Sequence, residues 1–205
     1  VGNYRLQFGQ GLILNSNFAL GKNMLLQGLE RQPVTIKPHR GTNESGYYTG
    51  AAATVAWRAW QFTAFASYRR LDATLNGVSI STLKTDGYHR TPLEHSCRGN
   101  TRGNLFGGHL GYASHGFHLG MTAMYQSFNR NFVLSKQDYK RYAPQGHAFF
   151  NASVDYAWHH HRLSIVGETA VDRKGSVATL NTLRLKAADR VYVTLLQRYY
   201  AHDFW

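Results

Sequence analysis

The constraint that governs this chain is a two-residue alternation of apolar and polar side chains, repeated in run after run. On one parity of positions 62–70, 117–127, 148–158 and 163–171, 18 of 22 residues are apolar; on the interleaved parity only 8 of 24 are. A helix cannot produce that contrast, whereas a strand with one apolar face does. Strands are expected at roughly 3–14, 47–58, 61–72, 104–114, 117–129, 147–158, 162–172, 176–186 and 190–200.

The turns test the register. A two-residue hairpin places its flanking residues opposite each other, so the apolar parity must switch across it. It switches at Ala59-Trp60, which would pair Trp57 with Phe62. It switches again at His115-Gly116, leaving Tyr112 and Phe117 on one face, and at His160-His161, which would pair Trp158 with Leu163. The three residues Arg173-Lys174-Gly175 preserve parity, so Val171 and Val177 should face the same way. A further tight connection is expected at 187–189.

Tight connections alternate with long ones at about 15–46, 73–103 and 130–146, and all four prolines (Pro33, Pro38, Pro92 and Pro144) fall in these long loops. Short turns alternating with long loops, on strands of membrane-crossing length, predict an antiparallel up-and-down transmembrane β-barrel of the outer-membrane type. Nine strands cannot close an even-stranded barrel, so either a tenth lies near 24–36 or residues 1–205 are one domain's fragment. No signal peptide is expected from Val1 onward, and the chain reads as part of a longer protein. Mean hydropathy is −0.40 and no apolar run approaches eighteen residues, which excludes a membrane-spanning helix and says nothing against a barrel. One cysteine, Cys97, excludes an intramolecular disulfide framework. A soluble β-sandwich binding carbohydrate or nucleic acid is the competing fold. Its solvent face would be poor in charge, and its core would carry Ala and Gly without an excess of Leu and Ile.

On the barrel reading the polar parity lines a lumen: Arg58, Ser67, Arg69, His109, His118, Thr122, Gln126, Asp155, Glu168 and Arg184. Mixed charge of this kind suits a narrow or plugged interior. Trp57, Trp60, Phe62, Tyr112, Phe117, Tyr156 and Trp158 cluster near the short turns, as an interfacial aromatic girdle would. The loop 86–95 brings His89, Arg90, Glu94 and His95 together. It is read as a folded loop in which Arg90 pairs with Glu94 or a wall acid, with a hydrolase built on His89 and His95 as the alternative. The glycines of Gly9-Gln10-Gly11 mark a bend or close backbone approach, not a nucleotide loop. The run His159–His161 is read as an exposed turn. No catalytic residue, metal or cofactor is assigned. The formal charge of +12 concentrates in the long loops, at Arg69, Arg70, Lys84, Arg90, Arg98 and Arg102 and again at Arg130, Lys136, Lys140 and Arg141. The expected partners are outer-membrane lipid and lipopolysaccharide phosphates, or a polyanionic ligand. Nucleic acid is the weaker expectation despite Tyr88, Tyr139 and Tyr142, because no nucleic-acid-binding fold is legible.

Three stretches carry a resemblance. They are GNYRLQFGQGLIL (2–14) followed by Gly21-Lys22, then IKPHRGTNESGYYTGAAAT (36–54) with WQFTAFASYRRLDATL (60–75), and TDGYHRTPLE (85–94) with NLFGGHLGY (104–112). Together they resemble the barrel portion of Bacteroidota-type, Gram-negative outer-membrane proteins described as helix-hairpin-helix domain-containing. The resemblance covers about the first 130 residues and implies localisation in the cell outer membrane. Thr49 stands where the family usually has Arg. The helix-hairpin-helix segment itself is missing from this sequence, so DNA binding transfers to no residue here. The role expected of such a barrel is structural, channel-forming or surface-binding, and non-enzymatic.

Overall fold

The computed structural model describes residues 1–14, 36–42, 45–133 and 142–205. Twelve strands form one sheet: β1 (Gly2–Leu6), β2 (Ile36–Pro38), β3 (Tyr48–Trp57), β4 (Trp60–Leu71), β5 (Ala73–Asn76), β6 (Ser79–Leu83), β7 (Thr101–Ser114), β8 (Phe117–Phe132), β9 (Gly146–His160), β10 (Leu163–Asp172), β11 (Val177–Ala188) and β12 (Val191–Tyr200). The order is β12-β11-β10-β9-β8-β7-β4-β3-β1-β2, and β5 and β6 form a side hairpin. Each main neighbour is antiparallel, which gives an up-and-down meander that is not closed. This is one sheet rather than the two packed layers of a sandwich. Among the described residues no helix is long and apolar enough to cross a membrane, which says nothing about crossing by strands.

The expected faces hold, although three turns move; the connection expected at 187–189 falls at Asp189-Arg190, where Ala188 pairs with Val191 beyond a register shift after Lys186. Trp57 pairs with Trp60 around Arg58-Ala59, and His160 pairs with Leu163 around His161-Arg162. Each pairing differs from the expected one by two residues. Two residues are one full strand period, so every side chain that stays in a strand keeps its face. The turn at His115-Gly116 falls where expected, with φ of 43° and 81° at its two central residues. Left-handed values at both positions define a type I′ hairpin, whose twist matches the strands it joins. Val171 pairs with Val177 across Arg173–Gly175.

The expected strand at 3–14 does not persist. β1 stops at Leu6, and the chain turns at Gly9, Gln10 and Gly11, where the Gly11 amide donates to the Phe8 carbonyl at 3.1 Å. Residues 7–14 then run inside the curve of the sheet. The Phe8 ring stacks on Phe65 of β4 and on His109 of β7, with centroids 5.8 and 4.5 Å apart. The Leu12 amide donates to Glu168 Oε2 of β10 at 3.0 Å. In a flat sheet β4 and β10 would lie about 19 Å apart, at about 4.8 Å per strand. One five-residue segment touches both because the sheet curls round it. Tyr4, Leu6, Phe8 and Leu14 pack with Phe65 and Leu105 as an internal apolar cluster.

The loop expected at 73–103 contains two elements. β5 and β6 make a hairpin whose Ile80 is buried with Ala73 and Phe128, and helix α1 (Pro92–Cys97) follows. This hairpin and the three-residue β2 account for the excess over the nine or ten strands expected. Pro38 closes the edge strand β2 rather than lying in a loop, a position where a missing amide donor costs nothing. Pro92 opens α1. Pro33 and almost all of the expected strand at 24–36 lie outside the described residues, as do Gly21, Lys22 and the basic residues Lys136, Lys140 and Arg141.

Candidate functional site

The concave face is polar and buried; the convex face is apolar and exposed. Thr63, Ser67, His109, Thr122, Asn151, Asp155, Glu168 and Thr182 are all buried, while Phe62, Phe106, Leu110, Leu119, Met121, Tyr125, Phe150 and Val154 are exposed. Nearly all the expected lumen residues lie on the concave face. Ser67 Oγ accepts from the Thr49 amide at 3.0 Å. Arg69 donates to the Tyr47 carbonyl at 3.1 Å and lies 3.7 Å from the centre of that ring. Gln126 lines the wide end of the interior, and Arg184 shares its parity with buried Ala178 and Thr182 while resting on the Tyr192 ring. Arg58 is the exception. It occupies the turn itself, with φ of 54°, and its guanidinium sits exposed over Trp57 rather than inside.

Four concave residues meet at mid-height. His109 Nδ1 and Thr122 Oγ1 share a hydrogen bond of 2.9 Å, and His118 Nε2 lies 2.9 Å from Asp155 Oδ2. Asp155 and Glu168 are cross-strand partners on β9 and β10, and both lie against Gly9. A Cβ added to Gly9 would stand 2.8 Å from Asp155 Cβ and 2.9 Å from Glu168 Oε2, at a backbone φ of +51°. Glycine is required there on both counts. The interior is therefore occupied by the chain's own segment 7–14, and its two carboxylates face that segment.

The long-loop end opens into a cavity of about 850 Å³ lined by Arg69, Arg70, Lys84, Arg98, Asp72 and His89 among others. Asp72 is consumed structurally: its two oxygens take His89 Nε2 and the Gly99 amide, each at 2.7 Å. That pairing pins the loop before α1 and the chain after it to the end of β4. The four cations thus face a cavity whose one lining carboxylate is already partnered. Arg90 does not make the expected side-chain pair with Glu94 or a wall acid: its backbone amide donates to Glu94 Oε2 at 2.7 Å, while the guanidinium lies over Tyr88. Glu94 also accepts from the Thr91 amide, completing a capping box with Thr91 at the start of α1. These two amide donors hold the Glu94 carboxyl below its ordinary value. His89 bonds the wall acid Asp72 and no hydroxyl or thiol among the described residues; the His95 ring lies 6.3 Å from it.

The aromatic set sits as a band near the short turns. Trp57, Trp60, Tyr112 and, through Leu119, Tyr156 share one cross-strand row, Phe117 and Trp158 another nearer the turns, and Phe62 lies two residues further in. The Trp60 and Tyr112 rings are 4.9 Å apart, and Tyr156 donates its hydroxyl to Asn181 Oδ1 at 2.8 Å.

Parity alone located the concave histidines and acids. It did not reveal Asp72 as the anchor of His89, nor Phe8 and Leu12 as interior residues. The signal for the latter was the Gly9-Gln10-Gly11 turn, after which apolar Leu12-Ile13-Leu14 need not stay in the sheet. Comparison with protein-family models, curated proteins and solved structures returns no match.

Proposed function

We propose that this chain is a plugged β-barrel, or a large part of one, in the outer membrane of a Gram-negative bacterium, with a structural and surface-binding role and no catalytic one. The observation that carries the reading is the inverted distribution of polarity. A water-soluble sheet protein packs its apolar face and wets its polar one; here Met121, Leu110 and Val154 are outside and Asp155, Glu168 and His109 inside. An apolar surface running continuously from β4 to β10 far exceeds the patches that soluble monomers tolerate. Facing hydrocarbon, it needs no protein cover.

Within that reading, residues 7–14 favour a plug over an open channel. The basic cavity between the ends of β4 and β6 and the residues that follow α1 supplies the binding surface, and its chemistry fits phosphate-bearing lipopolysaccharide or another polyanion. His89 acts as an anchor for the loop rather than as a general base. The resemblance to the barrel portion of helix-hairpin-helix-associated outer-membrane proteins points to the same compartment.

Tyr125→Arg tests the reading. Tyr125 is exposed near the middle of β8, so in water a charge there should be almost neutral. At a bilayer midplane it should destabilise by about 2–4 kcal/mol. Reversible urea unfolding in phospholipid vesicles measures the difference. An effect within experimental error would refute lipid contact at this face.

A further inference from the structure

The lumenal residues His109, His118 and Asp155 do more than satisfy one another. One ligand-capable atom from each lies within 4.8 Å of the other two. They come from three consecutive strands, β7, β8 and β9, whose register fixes them: His109 pairs with Thr122, and Gly120 with Asp155, two residues along from each other on β8. Four-coordinate transition-metal sites with bond lengths near 2.1 Å hold their ligand atoms about 3.4 Å apart. Small side-chain rotations bring this set to that spacing.

Three further features belong to a ligand set rather than to a plain ion pair. Asp155 Oδ1 is buried and has no hydrogen-bond partner, although its companion Oδ2 is bonded to His118. A carboxylate oxygen so placed is costly unless something positive occupies the space beside it. His109 uses Nδ1 toward Thr122, leaving Nε2 on the side where the two imidazoles converge: a Cβ on Gly111 would meet His109 Nε2 at 3.2 Å and His118 Cε1 at 3.5 Å. A metal-bound imidazole ordinarily has its other nitrogen held in this way. Finally, Gly111 and Gly120 leave the floor of the cluster bare, the latter because any side chain there would collide with Asp155 at 2.4 Å.

We propose that His109, His118 and Asp155 form a binding site for a borderline divalent transition metal such as Zn²⁺. Two imidazoles and one carboxylate suit that class and not Mg²⁺ or Ca²⁺, which take oxygen ligands. His118, with its side chain 28% exposed, provides the approach and leaves a coordination position for water. The segment 7–14 covers the other side, with Phe8 stacked on His109. The site needs only the strand register and stands whether the convex face meets lipid or water.

The test is titration of Co²⁺ into the chelator-stripped 205-residue chain in mild detergent. The expected result is one equivalent bound, with visible d–d bands that Zn²⁺ abolishes. Asp155→Asn and, at the more exposed ligand, His118→Gln should weaken binding by about 100-fold or more. Thr122→Val, which frees the His109 ring, should weaken it roughly 10–100-fold. A variant with His159, His160 and His161 all changed to alanine should bind as wild type does, and circular dichroism checks that each variant is folded. No uptake by the wild-type chain overturns the proposal. So does undiminished uptake by folded His118→Gln, or loss of uptake in the triple turn variant, which would move the metal to the surface.

Discussion

At the scale of single residues, Gly9 controls how the interior is filled. Its left-handed backbone and its contact with Asp155 and Glu168 leave no room for a methyl group. Gly9→Ala should therefore destabilise the fold by about 1–3 kcal/mol, the usual range for overpacking. Exposure of Phe8 should accompany the loss, and urea midpoints together with proteolysis of residues 7–14 would record both; an unchanged midpoint with the segment still protected would contradict the packing described. Residue faces were largely legible in the sequence. Period-two parity put His109, His118, Thr122, Asp155 and Glu168 on one side because a strand has only two sides. The same logic failed for Arg58, since a residue in a two-residue turn belongs to neither face. Parity also has no knowledge of distance across strands, so it could not say that His109, His118 and Asp155 converge, nor that Asp72 reaches His89.

Elements were legible to the extent that their patterns were long. β7 to β11 emerge from alternation and turn chemistry, and displacement of two turns by a full period left the faces of the strand residues intact. The short pieces were not legible: β5, β6 and α1 are too brief to show a period, and their stability comes from tertiary packing such as Ile80 against Phe128. Helix α1 depends on its capping box, and this gives it a pH dependence. Folding lowers the Glu94 carboxyl below its ordinary 4.5, chiefly through the Arg90 amide and then the Thr91 amide. A depressed carboxylate contributes its stability in full above the unfolded value and loses it as pH falls through the folded one. Protection of the amides of residues 93–97, measured against their intrinsic exchange rates at each pH, should accordingly fall on acidification below about pH 4.5, where the unfolded-state glutamate takes up protons. Glu94→Gln, which keeps an acceptor but no titrating charge, should show little change in protection on acidification. An acid response identical to wild type would show that the cap is not the cause.

At the scale of the molecule, the sheet has free edges. β12 pairs only with β11, and β3 from Ala51 to Trp57 is bonded on one side among the described residues. In hydrocarbon each unpaired backbone group costs several kcal/mol, so a membrane-embedded form must close these edges, onto each other or with additional strands. Closure would also cover β12, whose Leu195, Leu196 and Tyr199 are exposed on both faces. The proposed form is a closed barrel with its apolar side toward lipid. Electrophoresis of the full-length protein, extracted from membranes in mild detergent and compared unboiled and boiled, addresses it most directly. Recovery in the membrane fraction and a faster-migrating unboiled band are expected. Recovery in the soluble fraction with identical mobility in both samples would contradict it.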